Sequence, residues 1–193
     1  MKKLLLNGRG DYLNMESNLK IVVVNGMPRS GKTTFENFCK DYLGPYCEII
    51  STIDIIKEMA RVGGWNGEKD PKSRKLLSDL KDLWTNYNDL SFNTIKKHIN
   101  IWEEELKNFH VDNQPHVLFV DSREPEEIAR FKYELGAITV LVRRPEVENV
   151  EQSNHADANV LNFKYDYYIL NQATTEELKS AAIDFINLLF KKN

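Results

Sequence analysis

The sequence predicts an α/β fold, a parallel sheet of about five strands with helices on both faces. Three observations carry that expectation. Short apolar runs alternate with longer stretches of helical periodicity along the chain, the pattern of a parallel sheet with crossover helices. The first long run, Leu19-Lys20-Ile21-Val22-Val23-Val24, is β-branched and nearly continuous in its hydrophobicity, as a strand covered on both faces should be. A glycine-bearing loop directly follows that run and leads into a helical pattern.

The elements then follow in order. A helix is expected over 31–43, closed by Gly44-Pro45, and a second short strand over 47–51. A helical pattern covers 53–62, and Gly63-Gly64-Trp65-Asn66-Gly67 breaks it. Two further helices are expected over 72–84 and 91–108. The second sets Ile95, Ile99, Trp102 and Leu106 at helical spacing, which makes Trp102 a core residue. A third strand over 116–120, a helix over 124–135, a fourth strand over 137–142, a fifth over 167–170 and a closing helix over 174–190 complete the series. The stretch 143–161 is polar and irregular. Residues 1–18 read as a leader, a candidate for disorder, with Met15 a candidate alternative start, and 19–193 as one domain.

Composition narrows the function. Of 193 residues, 41% are hydrophobic and 28% charged, which is ordinary globular usage. The net charge of −3 argues against a general nucleic-acid binder, which needs a basic face. Apolar runs fall short of the roughly 18–20 residues of a membrane span, and Leu4–Leu6 is too short for a signal peptide. Cys39 and Cys47 stand outside any CxxC pair or zinc-type spacing, so they read as free buried thiols of a cytoplasmic protein.

The chemistry is concentrated in Gly26-Met27-Pro28-Arg29-Ser30-Gly31-Lys32-Thr33, which satisfies G-x-x-x-x-G-K-[ST] in the strand–loop–helix setting it requires. Glycines let such a loop turn its N–H groups inward onto phosphate oxygens, and the helix points its positive end at the same anion. Lys32 is placed to reach β- and γ-phosphates and the Thr33 hydroxyl to take a position on Mg²⁺; Thr34 closes the loop. The run His116–Asp121 ends an apolar strand in a carboxylate that either holds the Mg²⁺ shell or, with Ser122, caps the following helix. Arg123 either binds a substrate phosphate or pairs with Glu126 or Glu127. Arg143 and Arg144 open the irregular stretch, which reads as a lid over phosphates, with His155 inside it, or as a solvated charge pair.

Together these residues resemble the P-loop nucleoside monophosphate kinases, most closely the phage and bacterial deoxynucleoside monophosphate kinases and their relatives, the animal-type phosphomevalonate kinases. The resemblance rests on Val120-Asp121-Ser122-Arg123-Glu124-Pro125-Glu126-Glu127, on Glu134-Leu135-Gly136-Ala137 and on Val142-Arg143-Arg144-Pro145. Asn154-His155-Ala156-Asp157 and the run from Tyr165 to Asn171 extend it, as do Ser51 to Lys57 and Lys69-Asp70 with Arg74 upstream. Three positions depart from the group, and the lid has few basic residues beyond Arg143, Arg144 and Lys164. The lid has Ala156-Asp157 where a Ser-Glu type pair is expected, and Thr33 stands where several members carry an acidic residue.

The resemblance implies a P-loop NTPase three-layer fold with acceptor-binding helices over about 52–110 and a short lid over 143–161. It implies transfer of the γ-phosphoryl group of ATP to a nucleoside monophosphate, with Mg²⁺ as cofactor and small-molecule substrates as the partners of a monomer or homodimer. Residues 26–34 would bind the donor, and Thr33 and Asp121 the metal. Lys57, Arg74 and Arg123 would neutralise the acceptor phosphate, and Arg143 and Arg144 would stabilise the transferring group. Asp54 would contact the acceptor or cap its own helix, and the loop from Asn171 to Thr174 would meet the donor base. Two other readings stay open: a kinase of another small phosphorylated metabolite, and a nucleotide-binding regulatory module. The absence of an N-K-x-D tetrapeptide lowers a GTPase reading.

Overall fold

The computed structural model describes residues 5–6, 12–13, 18–108, 114–148, 160–172 and 174–191. Near the N-terminus β1 (Leu5–Leu6) pairs antiparallel with β2 (Tyr12–Leu13). The remaining strands are β3 (Leu19–Asn25), β4 (Cys47–Ser51), β5 (His116–Asp121), β6 (Ile138–Arg143) and β7 (Tyr167–Leu170). They form one parallel sheet in the order β4-β5-β3-β6-β7. The helices are α1 (Lys32–Leu43), α2 (Asp54–Val62), α3 (Pro71–Asn88), α4 (Leu90–Asn108), α5 (Pro125–Leu135), the single turn α6 (Pro145–Glu148) and α7 (Thr175–Leu189).

The strand β3 lies at the centre because its side chains are apolar on both faces, and Val22, Val23 and Val24 are fully buried. Their alternation divides the core in two. Val23 packs with Phe92, Ile95 and Ile99 of α4 and with Ile128 and Phe131 of α5. Val22 and Val24 pack with Phe35 and Cys39 of α1 and with Leu178, Ala182 and Phe185 of α7. The molecule is therefore three layers, α4 and α5 on one face of the sheet and α1 and α7 on the other. This is the α/β three-layer fold expected from the sequence.

Local chemistry sets the element ends. Asp70 caps α3 by accepting the Ser73 N–H at 2.7 Å, with Pro71 in the first turn. Thr174 and Glu177 form a reciprocal capping box on α7. Both cysteines are buried free thiols, and burial pushes Cys47 up to about 12 and Cys39 higher still, so neither is a reactive thiolate.

Four expectations need correction. Helix α3 continues past Trp84 to Asn88, and the break before α4 is carried by Asp89 alone in the left-handed region (φ 57°), which Asp tolerates better than most residues. Neither Asp121 nor Ser122 caps α5. That helix starts at Pro125 after Glu124, without a side-chain cap, and the Ser122 hydroxyl instead donates to Glu127 Oε2 at 2.6 Å. The ion pair of Glu127 is with Lys81, at 2.9 Å. Trp102 is half-buried at the rim of the core, edge-on to His116. Among the described residues no helix is long and apolar enough to cross a membrane.

Candidate active site

The carboxyl ends of β3, β5 and β6 converge on a cavity of about 510 Å³. Open α/β sheets bind ligands at this edge. The whole stretch 26–34 lines it, Gly26, Met27, Pro28, Arg29, Ser30, Gly31, Lys32, Thr33 and Thr34, with Arg123, Arg144 and Asn171 joining from the β5, β6 and β7 ends and Thr175 and Leu178 from the start of α7.

The loop is shaped by close approach. A Cβ on Gly26 would lie 2.5 Å from Ser30 Oγ and 2.8 Å from the Val142 carbonyl oxygen. Gly31 sits at φ +92°, and a Cβ there would strike the Asn171 amide. Arg29 is also left-handed (φ 66°), so 29 and 31 together reverse the chain and aim α1 at the cavity. The first turn of α1 carries no acidic residue, which leaves its positive end uncompensated. The Ser30 hydroxyl is buried and has no hydrogen-bond partner among the described residues. An orphaned donor in a phosphate-type loop is what an oxyanion ligand would satisfy.

Lys32 lies at the helix entrance. Its ammonium contacts Asp121 at the end of β5 and lies 3.7 Å from Glu36, one turn along α1. Glu36 is 1% exposed, and burial, with Asp121 beside it, pushes its carboxyl up to about 9. Thr33 is exposed on the cavity wall. A threonine hydroxyl and a strand-end carboxylate are hard oxygen donors that suit Mg²⁺, which takes one or two protein ligands and leaves the rest to water and phosphates. Among the described residues no group of three or more His, Cys, Asp or Glu forms a dedicated metal cage.

Two side-chain amides, one half-buried and one fully buried, hold this arrangement. The Asn171 amide donates to the Ser30 carbonyl at 2.9 Å, and its backbone N–H donates to the Arg143 carbonyl at 2.8 Å. Asn25, fully buried, accepts the Gly26 N–H at 2.8 Å and donates to the Tyr165 hydroxyl at 2.9 Å and to the Arg123 carbonyl at 3.3 Å. Burial raises the Tyr165 phenol to about 12, so it stays a neutral donor, and it donates to the Val160 carbonyl at 2.9 Å. Replacing Asn171 with Ala is expected to weaken binding of inorganic tripolyphosphate to the loop about fivefold, the worth of one hydrogen bond of ~1 kcal/mol, as titration calorimetry would read.

The remaining predicted residues are distributed unevenly. Arg144 lines the cavity and its guanidinium pairs with Glu146 at 2.6 Å, whereas Arg143, half-buried at the end of β6, is not part of the lining. Asp54 does not cap its own helix, which starts after Ile53 without a side-chain cap; its carboxylate accepts from the Ser51 N–H (2.9 Å) and the Lys57 ammonium (2.8 Å), and it also lines a second, smaller cavity. Lys57 lines neither cavity, and neither does Arg74, whose Nε donates to the Lys69 carbonyl at 3.1 Å. The aromatic residues of this region pack locally. Arg61 lies over the Trp65 ring, and Trp84 meets Tyr87 edge-on. His155 and most of the expected lid, 149–159, lie outside the described residues.

No protein-family profile matches the sequence, and neither does any curated protein. Among solved structures the chain is similar to shikimate kinase from Aquifex aeolicus vf5, with 12% identity, a TM-score of 0.46, and coverage of 88% of this chain and 98% of that one. It is also similar to a sugar kinase from Janibacter sp. HTCC2649, with 14% identity, a TM-score of 0.45, and coverage of 90% and 99%. Thymidylate kinase from Ehrlichia chaffeensis gives 12% identity, a TM-score of 0.42, and coverage of 88% and 98%.

Proposed function

We propose that the protein is an ATP-dependent phosphotransferase that passes the γ-phosphoryl group to a (deoxy)nucleoside monophosphate. The observation that carries this reading is the phosphate-type loop, with Lys32 and the orphaned Ser30 hydroxyl, facing Arg123 and Arg144 across one cavity. Loop N–H groups, the positive end of α1 and Lys32 would bind the donor triphosphate. Thr33 and Asp121 are the residues that would hold Mg²⁺, whose chemistry is to offset phosphate charge.

In the reaction an acceptor oxygen forms a new bond to the γ-phosphorus while the bond to the bridging oxygen breaks, the electron pair of that bond leaves on the β-phosphate oxygen of ADP, and a proton carried by the attacking oxygen passes to solvent. Such a loose transition state asks for alignment and cationic donors rather than a strong base. Lys32 on the donor side and Arg123 and Arg144 opposite supply those cations. With Lys57 held by Asp54 and Arg74 outside the cavity, the acceptor phosphate falls to Arg123.

ADP release from Mg-ATP against a panel of ribo- and deoxyribonucleoside monophosphates, with phosphomevalonate included, tests the reading. Acceptor-dependent ADP from one or a few nucleotides is the expected result. Release with phosphomevalonate alone would move the acceptor to another metabolite, and none with any acceptor would leave a regulatory module. Arg123→Ala is expected to lower kcat on the order of 10²-fold with the KM for ATP nearly unchanged. Equal losses in both would put Arg123 on the donor side.

A further inference from the structure

A second cavity, of about 270 Å³, opens where the carboxyl end of β4 meets α2 and α4. It is smaller than the ~300–1,000 Å³ of drug-sized sites, so it has room for one compact head group. Its polar lining is Ser51, Asp54, Glu58, Ser91, Thr94 and His98, backed by an isoleucine from each of the three elements. The spacing that builds it is helical. Asp54 and Glu58 are one turn apart on α2, and Ser91, Thr94 and His98 share one face of α4.

Two features say what it would hold. The lining contains two carboxylates and neither Lys nor Arg, so a phosphate would meet repulsion there and a hydrogen-bond donor would not. Asp54 uses two of its carboxylate's roughly four lone-pair sites on Ser51 and Lys57, and Glu58 takes no hydrogen bond or ion pair among the described residues. Independently of the carboxylates, Ser91 is 2% exposed and its hydroxyl has no hydrogen-bond partner among the described residues. Buried hydroxyls are rarely left unpaired without a ligand or water to meet them.

The cavity also lies within reach of the phosphate site. Ser51 pairs in register with Asp121 on the neighbouring strand, and its hydroxyl is 3.4 Å from the Asp121 carbonyl oxygen. A molecule with its phosphate at Arg123 could place its other end one or two strand spacings of ~4.8 Å away.

We propose that this cavity is the head-group subsite of the phosphoryl acceptor, and that it selects a head bearing an amino group over one offering a carbonyl at the same place. The proposal rests on the kinase reading above and deepens it. Among nucleotides it separates cytosine and adenine from uracil and hypoxanthine, which present a carbonyl where the first two present an amino group.

The test is equilibrium binding to the full chain, saturated with a non-hydrolysable ATP analogue, of dCMP against dUMP and of AMP against IMP. The amino member of each pair should bind roughly tenfold or more tightly, because a site built around a donor rejects the analogue that lacks it. Glu58→Gln, whose amide can satisfy a carbonyl, should bring each ratio close to one. Ser91→Ala should weaken the amino ligand severalfold while the melting temperature holds or rises, since it deletes an unpaired buried hydroxyl. A ratio near one in the wild type, or a ratio that survives both substitutions, overturns the proposal. A melting temperature that falls in Ser91→Ala, with ligand binding unchanged, overturns the role given to that hydroxyl. Cytidine against uridine, measured in the same way but without the ATP analogue, separates the two claims. If the analogue fails to bind, the kinase reading fails, and the cavity proposal then stands or falls on whether cytidine binds more tightly than uridine.

Discussion

Lys32→Ala is expected to lower phosphoryl transfer by about 10³-fold, the upper range for removing one preorganised donor from a transition state that carries its charge on phosphate oxygens. The side chain stands at the positive end of α1, in the cavity that Arg123 and Arg144 face from the other strand ends. The variant will also be less stable. The Lys32 ammonium contacts Asp121 and lies near Glu36, and its loss leaves a carboxylate and a buried carboxyl facing each other without a cation. Activity and stability can be separated with a second variant, Lys32→Met combined with Glu36→Gln, which removes both members of the buried pair. Its melting temperature should recover toward that of the wild type while its ADP release stays at the level of Lys32→Ala. Turnover near the wild-type rate in either variant, measured by coupled ADP release, would take the loop out of the mechanism.

How far the site could be read beforehand follows from the range of the interactions that build it. Strand β3, the loop 26–34 and the strand-end Asp121 are legible because hydrophobic pattern, glycine positions and a helix start are local properties of a few residues. The strands over 47–51 and 167–170 have the expected bounds for the same reason. The hydrogen bonds by which Asn171 and Asn25 hold the loop are not legible, although the resemblance already set Asn171 beside the donor. Their partners, Ser30 and Tyr165, are 141 and 140 residues away, and a lone Asn after a strand carries no sign of which carbonyl or hydroxyl it will meet.

Lys57 and Arg74 show the reverse case. As cations in an expected acceptor region they fit a phosphate, yet an (i, i+3) carboxylate and a nearby carbonyl engage them in the folded chain. Short-range competition of that kind depends on rotamer and helix phase, which composition and spacing leave open. Glu36 sits between these extremes. Its place one turn after Lys32, on the face of α1 that also carries Phe35 and Cys39, sets a charged residue on a buried stripe, a conflict that the expectations above leave unused.

That conflict gives the second large expected effect. The Glu36 carboxyl is moved from 4.5 to about 9, first by burial and then by Asp121 beside it, against the opposing pull of Lys32. In the unfolded chain it ionises near the ordinary value, so between about pH 4.5 and 9 the folded protein holds a proton that the unfolded chain has released. Native-state proton excess makes stability fall as pH rises through that window, by up to about 1.4 kcal/mol per pH unit for one group. Glu36→Gln keeps the shape and a donor toward Asp121 but cannot ionise. Its unfolding free energy from urea titrations at pH 5, 6, 7 and 8 should be flatter than that of the wild type, with the variant gaining most at pH 8. Parallel curves would mean that Glu36 is ionised in the folded state. The same proton matters for the site. With Glu36 neutral, Asp121 is, among the described residues, the one carboxylate that balances Lys32, and the positive end of α1 is left to bind a polyphosphate. An ionised Glu36 would make the loop's own lysine part of a net-negative cluster.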